Sequence, residues 1–173
     1  PKLDYLMGIE GVAAKLYFSR IFEGIDWNGR RPRIKDNYIN LLLDIGYTTL
    51  FSYIDAMLQL YGFDTNKGNL HQEFYKRKSL TCDIIEPFRC IIDYKVRKMH
   101  NLGQVKDDHF VMIGKQVQIK YKSDFNYLHE FIKEIDKHGE AIFSYIQAYY
   151  RWFMAFNCVD DFKKFPKVFD IPL

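Results

Sequence analysis

Cysteine is scarce in this chain of 173 residues: Cys82, Cys90 and Cys158 are odd in number, and no two are spaced C-x-x-C. That excludes a disulfide framework and a zinc ribbon and leaves reduced, mostly buried thiols as the expectation. No run of 18 or more apolar residues is free of charge, and no charged-then-apolar leader with a cleavage site is visible. A cytoplasmic protein with no membrane association is expected. Repeats, low-complexity segments and a disorder-prone composition are also lacking. An excess of one charge is nearly absent, because 25 Lys and Arg face 22 Asp and Glu, and the net charge of +3 is too small to establish nucleic-acid binding.

What is present is core-forming material. A hydrophobic content of 48%, with 17% aromatic residues, supplies a sizeable core for one domain over residues 1–173. Residues 37–61 are apolar on nearly every side and end at Gly62, which predicts a central, buried helix. A first helix, a helix from Leu80 and a later pair over 125–136 and 140–156 are expected to pack around it. The fold class is therefore mainly α, a helical bundle around a central buried helix. Within residues 111–121, Val111, Ile113, Val117, Ile119 and Tyr121 alternate across Gly114-Lys115, as in a short β-hairpin, though an irregular loop is the alternative. The run AYYRWFMAF reads as core or interface rather than as a base-stacking platform.

Three acids and one His stand out against this frame. Leu6, Ala13, Ala14, Tyr17 and Ile21 recur at helical spacing, and Glu10 falls on their stripe, where a carboxylate facing the core needs a cation, a proton or a donor. A metal answers that need, as does a buried Arg; a mis-phased helix removes it. From Leu80 the pattern Leu80, Ile84, Phe88, Ile91, Ile92 predicts an amphipathic helix with Ser79 as its N-cap. Asp83 and Glu86 then share a face one turn apart, and Arg89 extends that line. A solvated helix face gives the same pattern. Pro87 either kinks this helix or is the first residue of a later one.

His71 follows a turn-rich stretch from Gly62 to Gly68, so it is a loop residue, free to be aimed or simply exposed. One imidazole with two carboxylates makes a mixed N/O set suited to Mn²⁺ or Mg²⁺, with positions left for water and phosphate oxygen. Two basic clusters could form a phosphate-binding rim or a plain solvated surface. Arg30, Arg31, Arg33 and Lys35 form the first, and Lys76, Arg77 and Lys78, next to the acidic helix, the second; Lys163, Lys164 and Lys167 could extend the track.

Four segments in order, GIEGVAAKLYFSRIF, NLLLDIGYTTL, GFDTNKGNLH and SLTCDIIEPFR, resemble the catalytic domain of the CRISPR-associated integrase-nuclease family that captures new spacers, the first of the universal CRISPR-associated proteins. The matches run from about Met7 to Arg89, with weaker similarity to the end. The resemblance implies Glu10, His71 and Glu86 as metal ligands, Asp83 as an acidic neighbour, Arg89 as a basic residue beside the metal, Tyr47 near the DNA and Asn40 at the start of that tyrosine's helix. Asn69, Cys90 and Asn37 depart from the family pattern, standing where a bulkier apolar residue, a proline and an Asp are usual.

The resemblance further implies a metal-dependent DNA endonuclease and integrase that joins spacer 3′-hydroxyls to the CRISPR repeat by phosphodiester exchange, with Mg²⁺ or Mn²⁺ as cofactor. No nucleotide hydrolysis is needed, in keeping with the lack of a P-loop. The implied partners are double-stranded DNA (prespacer and repeat), a second copy in the full-length family, and the second CRISPR-associated adaptation protein. Family members begin with a small β-domain, followed by helices, ahead of the Glu-bearing helix, whereas only six residues precede Met7 here. The chain is accordingly read as the helical C-terminal part of such a protein. The rival expectation is a helical DNA-binding or assembly module that does no chemistry.

Overall fold

The computed structural model describes residues 3–31, 34–71, 75, 77–120 and 125–167. Among the described residues six α-helices and one hairpin follow in order: α1 Leu3–Ile21, α2 Tyr38–Leu60, α3 Ser79–Ile85, α4 Arg89–Asn101, β1 Phe110–Ile113, β2 Gln116–Ile119, α5 Tyr127–Lys137 and α6 Gly139–Ala155. The fold is mainly α, as expected. Two compact units divide the chain, residues 1–45 with 93–127 and residues 46–92 with 128–173.

In the first unit, α2 starts on a side-chain cap. The Asn37 Oδ1 accepts from the Ile39 amide at 2.7 Å, so this departure from the family's Asp still satisfies an end-of-helix donor. The next residues, Ile39 to Leu43, are buried without a break. Among them Asn40 organises the preceding loop: its Oδ1 accepts from the Arg31 amide, and its Nδ2 donates to the Asp36 Oδ1. Tyr38 stacks on His100 and Phe110, with its hydroxyl 3.1 Å from the His100 Nδ1.

The hairpin forms in register Phe110↔Ile119, Val111↔Gln118, Met112↔Val117 and Ile113↔Gln116, leaving Gly114-Lys115 as a two-residue turn with Gly114 at φ 63°. A positive φ at the first turn position is what a hairpin of this length requires. Val117 is its buried member, and the Val117 amide donates to the Lys35 carbonyl. Tyr121 lies outside the described residues.

Helix α1 departs from expectation. Glu10, Ala13 and Ala14 are exposed, as are the bulkier Ile9, Val12 and Leu16, while the side chain of Leu6 is outside the described residues. The helix is held at its C-terminal end, where Phe18 and Phe22 pack with Trp27, Tyr17 donates to Asp93 Oδ2 at 3.0 Å, and Arg97 donates to the Glu23 carbonyl. The stripe carrying Glu10 therefore does not face the core, and the burial argument for that carboxylate falls.

In the second unit the later half of α2 buries one stripe, Leu50, Ile54 and Leu58, rather than all its sides; Leu60 is 86% exposed. Among the described residues α2 is the one helix long and apolar enough to cross a membrane by length and composition, and half of that window is buried inside the protein. Its end is closed at Gly62, with the amides of Gly62 and Phe63 donating to the carbonyls of Gln59 and Leu58. The run Leu80, Ile84, Phe88, Ile91 and Ile92 is buried as its spacing predicted.

Pro87 interrupts that run as a 3-10 turn over Glu86–Phe88, separating α3 from α4. Its missing amide does least harm near the start of such a turn. Ser79 is the first helical residue and is buried, not the N-cap. The helix start is satisfied from elsewhere, because the Leu80 amide donates to the Thr65 carbonyl at 3.0 Å. From the aromatic run of α6, Tyr149 alone is fully buried, whereas Phe153 and Met154 are exposed. Of the cysteines, Cys90 and Cys158 are exposed and Cys82 intermediate, against the expectation of mostly buried thiols.

Candidate functional site

The site begins in the second unit with a buried anchor under the 62–71 loop. Burial would raise the Asp55 carboxyl, yet hydrogen bonds from Lys78 and Thr81, the Lys78 charge and a further bond from Thr65 hold it below its ordinary value. The Lys78 Nζ lies 2.5 Å and the Thr81 hydroxyl 2.9 Å from that carboxylate. Residues within the loop and after it are thereby tied to α2.

Above this anchor the loop turns onto Asp83, whose side chain is only 5% exposed. Its Oδ2 accepts from the amides of Asn69 at 2.5 Å and Leu70 at 2.9 Å, and its Oδ1 from the His71 amide at 3.2 Å. The His71 Nδ1 stands 2.5 Å from the same Oδ1. The other edge of the loop is fixed by Asn69, whose Nδ2 donates to the Tyr149 hydroxyl at 2.8 Å. Burial, chiefly, and the Asp83 charge push the Tyr149 phenol up, against a lowering by the Asn69 bond. The departure at Asn69 from a bulkier apolar residue thus has a local use.

One turn beyond Asp83, the Glu86 Oε1 pairs with the Arg89 Nη2 at 3.2 Å, and the Arg89 guanidinium lies 5.2 Å above the Tyr47 ring. Tyr47, Glu86 and Arg89 form one cation–π and ion-pair stack. Among the described residues the buried Arg89 Nε has no hydrogen-bond partner. The sequence placed Asp83, Glu86 and Arg89 on one line; the structure instead joins Asp83 with His71, and Glu86 and Arg89 with Tyr47. Glu10 belongs to the first unit, exposed on α1.

The basic residues divide by environment. Arg30 is held by Asp44 at 2.5 Å with both side chains largely buried, Arg31 pairs with Asp36 at 2.9 Å, and Lys78 serves Asp55. Arg77 is exposed, and Lys76 and Arg33 lie outside the described residues. Lys163 and Lys164 pair with Asp160 and Asp161. Sequence reasoning missed Gly68, Asn69, Asp55 and Tyr149 as parts of the site's support. The GNL run ahead of His71 carried the only local signal.

A sequence model of the family described as CRISPR associated protein Cas1 matches residues 1–133. The chain belongs to the Cas1 family. A relative from Thermodesulfovibrio yellowstonii, a CRISPR-associated endonuclease Cas1, is 38% identical over 108 residues, covering 58% of this chain and 34% of that protein. A casposase bound to integration product superposes with a TM-score of 0.80 at 21% identity, over 96% of this chain and 52% of that one. The Cas6-RT-Cas1–Cas2 complex holds a chain matching with a TM-score of 0.77 at 27% identity, over 87% of this chain and 18% of that one. This Cas1-family chain thus spans about a third of the length of the Thermodesulfovibrio relative.

The family assignment brings a divalent ion into question. Among the described residues no three His, Cys, Asp or Glu side chains are gathered in a way that could hold one. The donor types themselves fit. His71 is 33% and Glu86 38% exposed, and with its Nδ1 on Asp83 the imidazole has Nε2 left for a ligand.

Proposed function

We propose that this chain carries the DNA-processing part of a Cas1 protein of CRISPR adaptation and that its reaction is metal-assisted phosphodiester exchange. The observation that carries the reading is the braced His71 on Asp83, one helical turn from the Glu86–Arg89 pair over Tyr47. A spacer 3′-hydroxyl attacks a phosphodiester at the repeat boundary. One P–O bond forms between the spacer 3′-oxygen and the phosphate that stays on the repeat's 5′ end, the bond from that phosphate to the 3′-oxygen of the flanking nucleotide breaks, and that oxygen takes a proton as a new 3′-hydroxyl. With water as nucleophile the same geometry gives strand cleavage.

In this reading His71 and Glu86 would hold Mg²⁺ or Mn²⁺, with Glu10 the further ligand that the family resemblance implies, and the ion would supply charge neutralisation of the phosphate oxygens. Arg89 adds positive field, and Tyr47 keeps its guanidinium oriented. Arg77 contacts the DNA backbone, and Lys78, held on Asp55, supports the segment that carries it. Double-stranded DNA is the proposed partner, in line with the integration product on the casposase; a Cas2 protein is a second, in line with the Cas6-RT-Cas1–Cas2 complex.

Strand-transfer and cleavage assays on labelled repeat DNA, with and without chelator, test this. The expected result is activity lost in chelator and in His71→Ala and Glu86→Ala. Activity equal in all three proteins would overturn the site assignment. DNA affinity that survives chelator, with no strand transfer at any metal concentration, would identify a binding module instead.

A further inference from the structure

We propose that Asp83 is the positioning residue of this site: its carboxylate holds the neutral His71 ring as the Nδ1–H tautomer, so that Nε2 is the nitrogen offered to a ligand. The proposal rests on the reading of His71 as a site residue, but concerns how the chain aims it. An ionised carboxylate only accepts hydrogen bonds, so the proton between the His71 Nδ1 and the Asp83 Oδ1, 2.5 Å apart, belongs to the ring. The same carboxylate accepts the three successive amides of Asn69, Leu70 and His71. Four donors on two oxygens, in a side chain 5% exposed, leave Asp83 unsuited to ligate anything itself.

The backbone is built around that carboxylate. A Cβ on Gly68 would fall 2.9 Å from the Asp83 Oδ2, 2.7 Å from the His71 carbonyl oxygen and 2.8 Å from the Ser79 Cβ, so the loop closes on Asp83 only with glycine there. Asn69 fixes the opposite edge of the loop to Tyr149. Main chain and ring are therefore held by one group, which sets the position and the tautomer of His71 together.

The test uses the full chain without metal. Long-range ¹H–¹⁵N spectra of the His71 ring, taken where it is neutral, are expected to show the Nδ1–H form, and the amides of residues 69–71 are expected to exchange slowly. In Asp83→Asn one oxygen remains to accept and an amide group faces the donors. The ring then reverts toward the Nε2–H form that neutral imidazole favours in water, exchange at 69–71 quickens about tenfold or more, and Mn²⁺ affinity falls about 10–100-fold. A purely structural Asp83 would alter exchange and melting but leave the tautomer unchanged.

An Nε2–H ring in the parent overturns the proposal whether or not the variant folds, and so does an Nδ1–H ring retained in Asp83→Asn. If the tautomer switches as expected while the parent binds no Mn²⁺ by calorimetry, the positioning role holds and the metal reading fails.

Discussion

Replacing Gly68 with alanine asks how tightly the loop is closed on Asp83. The backbone of Gly68 is not left-handed, so the demand there is for space alone. The new methyl carbon would meet the His71 carbonyl oxygen at 2.7 Å, the Ser79 Cβ at 2.8 Å and the Asp83 Oδ2 at 2.9 Å. None of these is the far end of a long flexible side chain, and Ser79 is fully buried. Forcing one methyl into a packed position costs about 1–3 kcal/mol.

The alternative is to push Asp83 away, which forfeits bonds to a charged acceptor worth about 1.5–3 kcal/mol. The chain takes the cheaper route, and a loss of about 1–3 kcal/mol lowers the melting temperature by about 2–12 °C for a chain of this size. Circular dichroism melting checks the value, and hydrogen exchange at 69–71 locates it. Gly11→Ala is the control: nothing lies within 4 Å of its added Cβ, and it is an exposed helix position, so a gain of up to about 1 kcal/mol is expected. A Gly68→Ala protein that melts with the parent and keeps slow exchange at 69–71 would refute the closure argument.

Three further outcomes follow from the ionisable groups. Lys78→Ala removes the cation from Asp55 and is expected to lower stability by about 1 kcal/mol, discounted because Lys78 is partly exposed, whereas Arg77→Ala reduces the salt slope of DNA binding by about 1; melting and salt titration of both variants separate the roles. Because the Asp55 carboxyl is held below its ordinary value, its stabilisation is whole above that value and lost as pH falls through the lower folded one. Urea unfolding across the acid range should show that fall in the parent and a flatter one in Lys78→Met. Tyr127 is pushed up to about 12, chiefly by burial, so the stability that it contributes is present below pH 10 and lost between 10 and about 12; absorbance titration of Tyr127→Phe against the parent reads the missing late phenol.

Much of the fold was legible because it depends on local chemistry. Asn37 and Gly62 bracket α2 through a side-chain cap and a turn that the backbone itself satisfies. The hairpin was legible from alternation around Gly114-Lys115. The spacing from Leu80 to Ile92 survived the interruption at Pro87 because a three-residue turn leaves those side chains on the buried face. Ser79 misled by one position: the serine rule assumes that a helix caps itself, but here the Thr65 carbonyl reaches in from the loop. Glu10 misled for a different reason. Periodicity identifies a face without showing what covers it, and α1 is anchored only toward its C-terminal end, by Tyr17, Phe22 and the Arg97 bond, while the part of the stripe around Glu10 is exposed.

The site was legible as a set of residue types and illegible as a division of labour. Asp83 and Glu86 share residue class, spacing and helix face, so no local rule separates them. The separation comes from the loop residues 12 to 14 positions earlier, whose three amides and one imidazole converge on Asp83. A carboxylate with four donors cannot easily leave them, while an ion pair at 3.2 Å between side chains 38% and 44% exposed is weak enough to rearrange. On the proposed reading the two acids on one turn have opposite uses: Asp83 fixes where His71 points, and Glu86 with Arg89 is the pair that an incoming phosphate or cation rearranges.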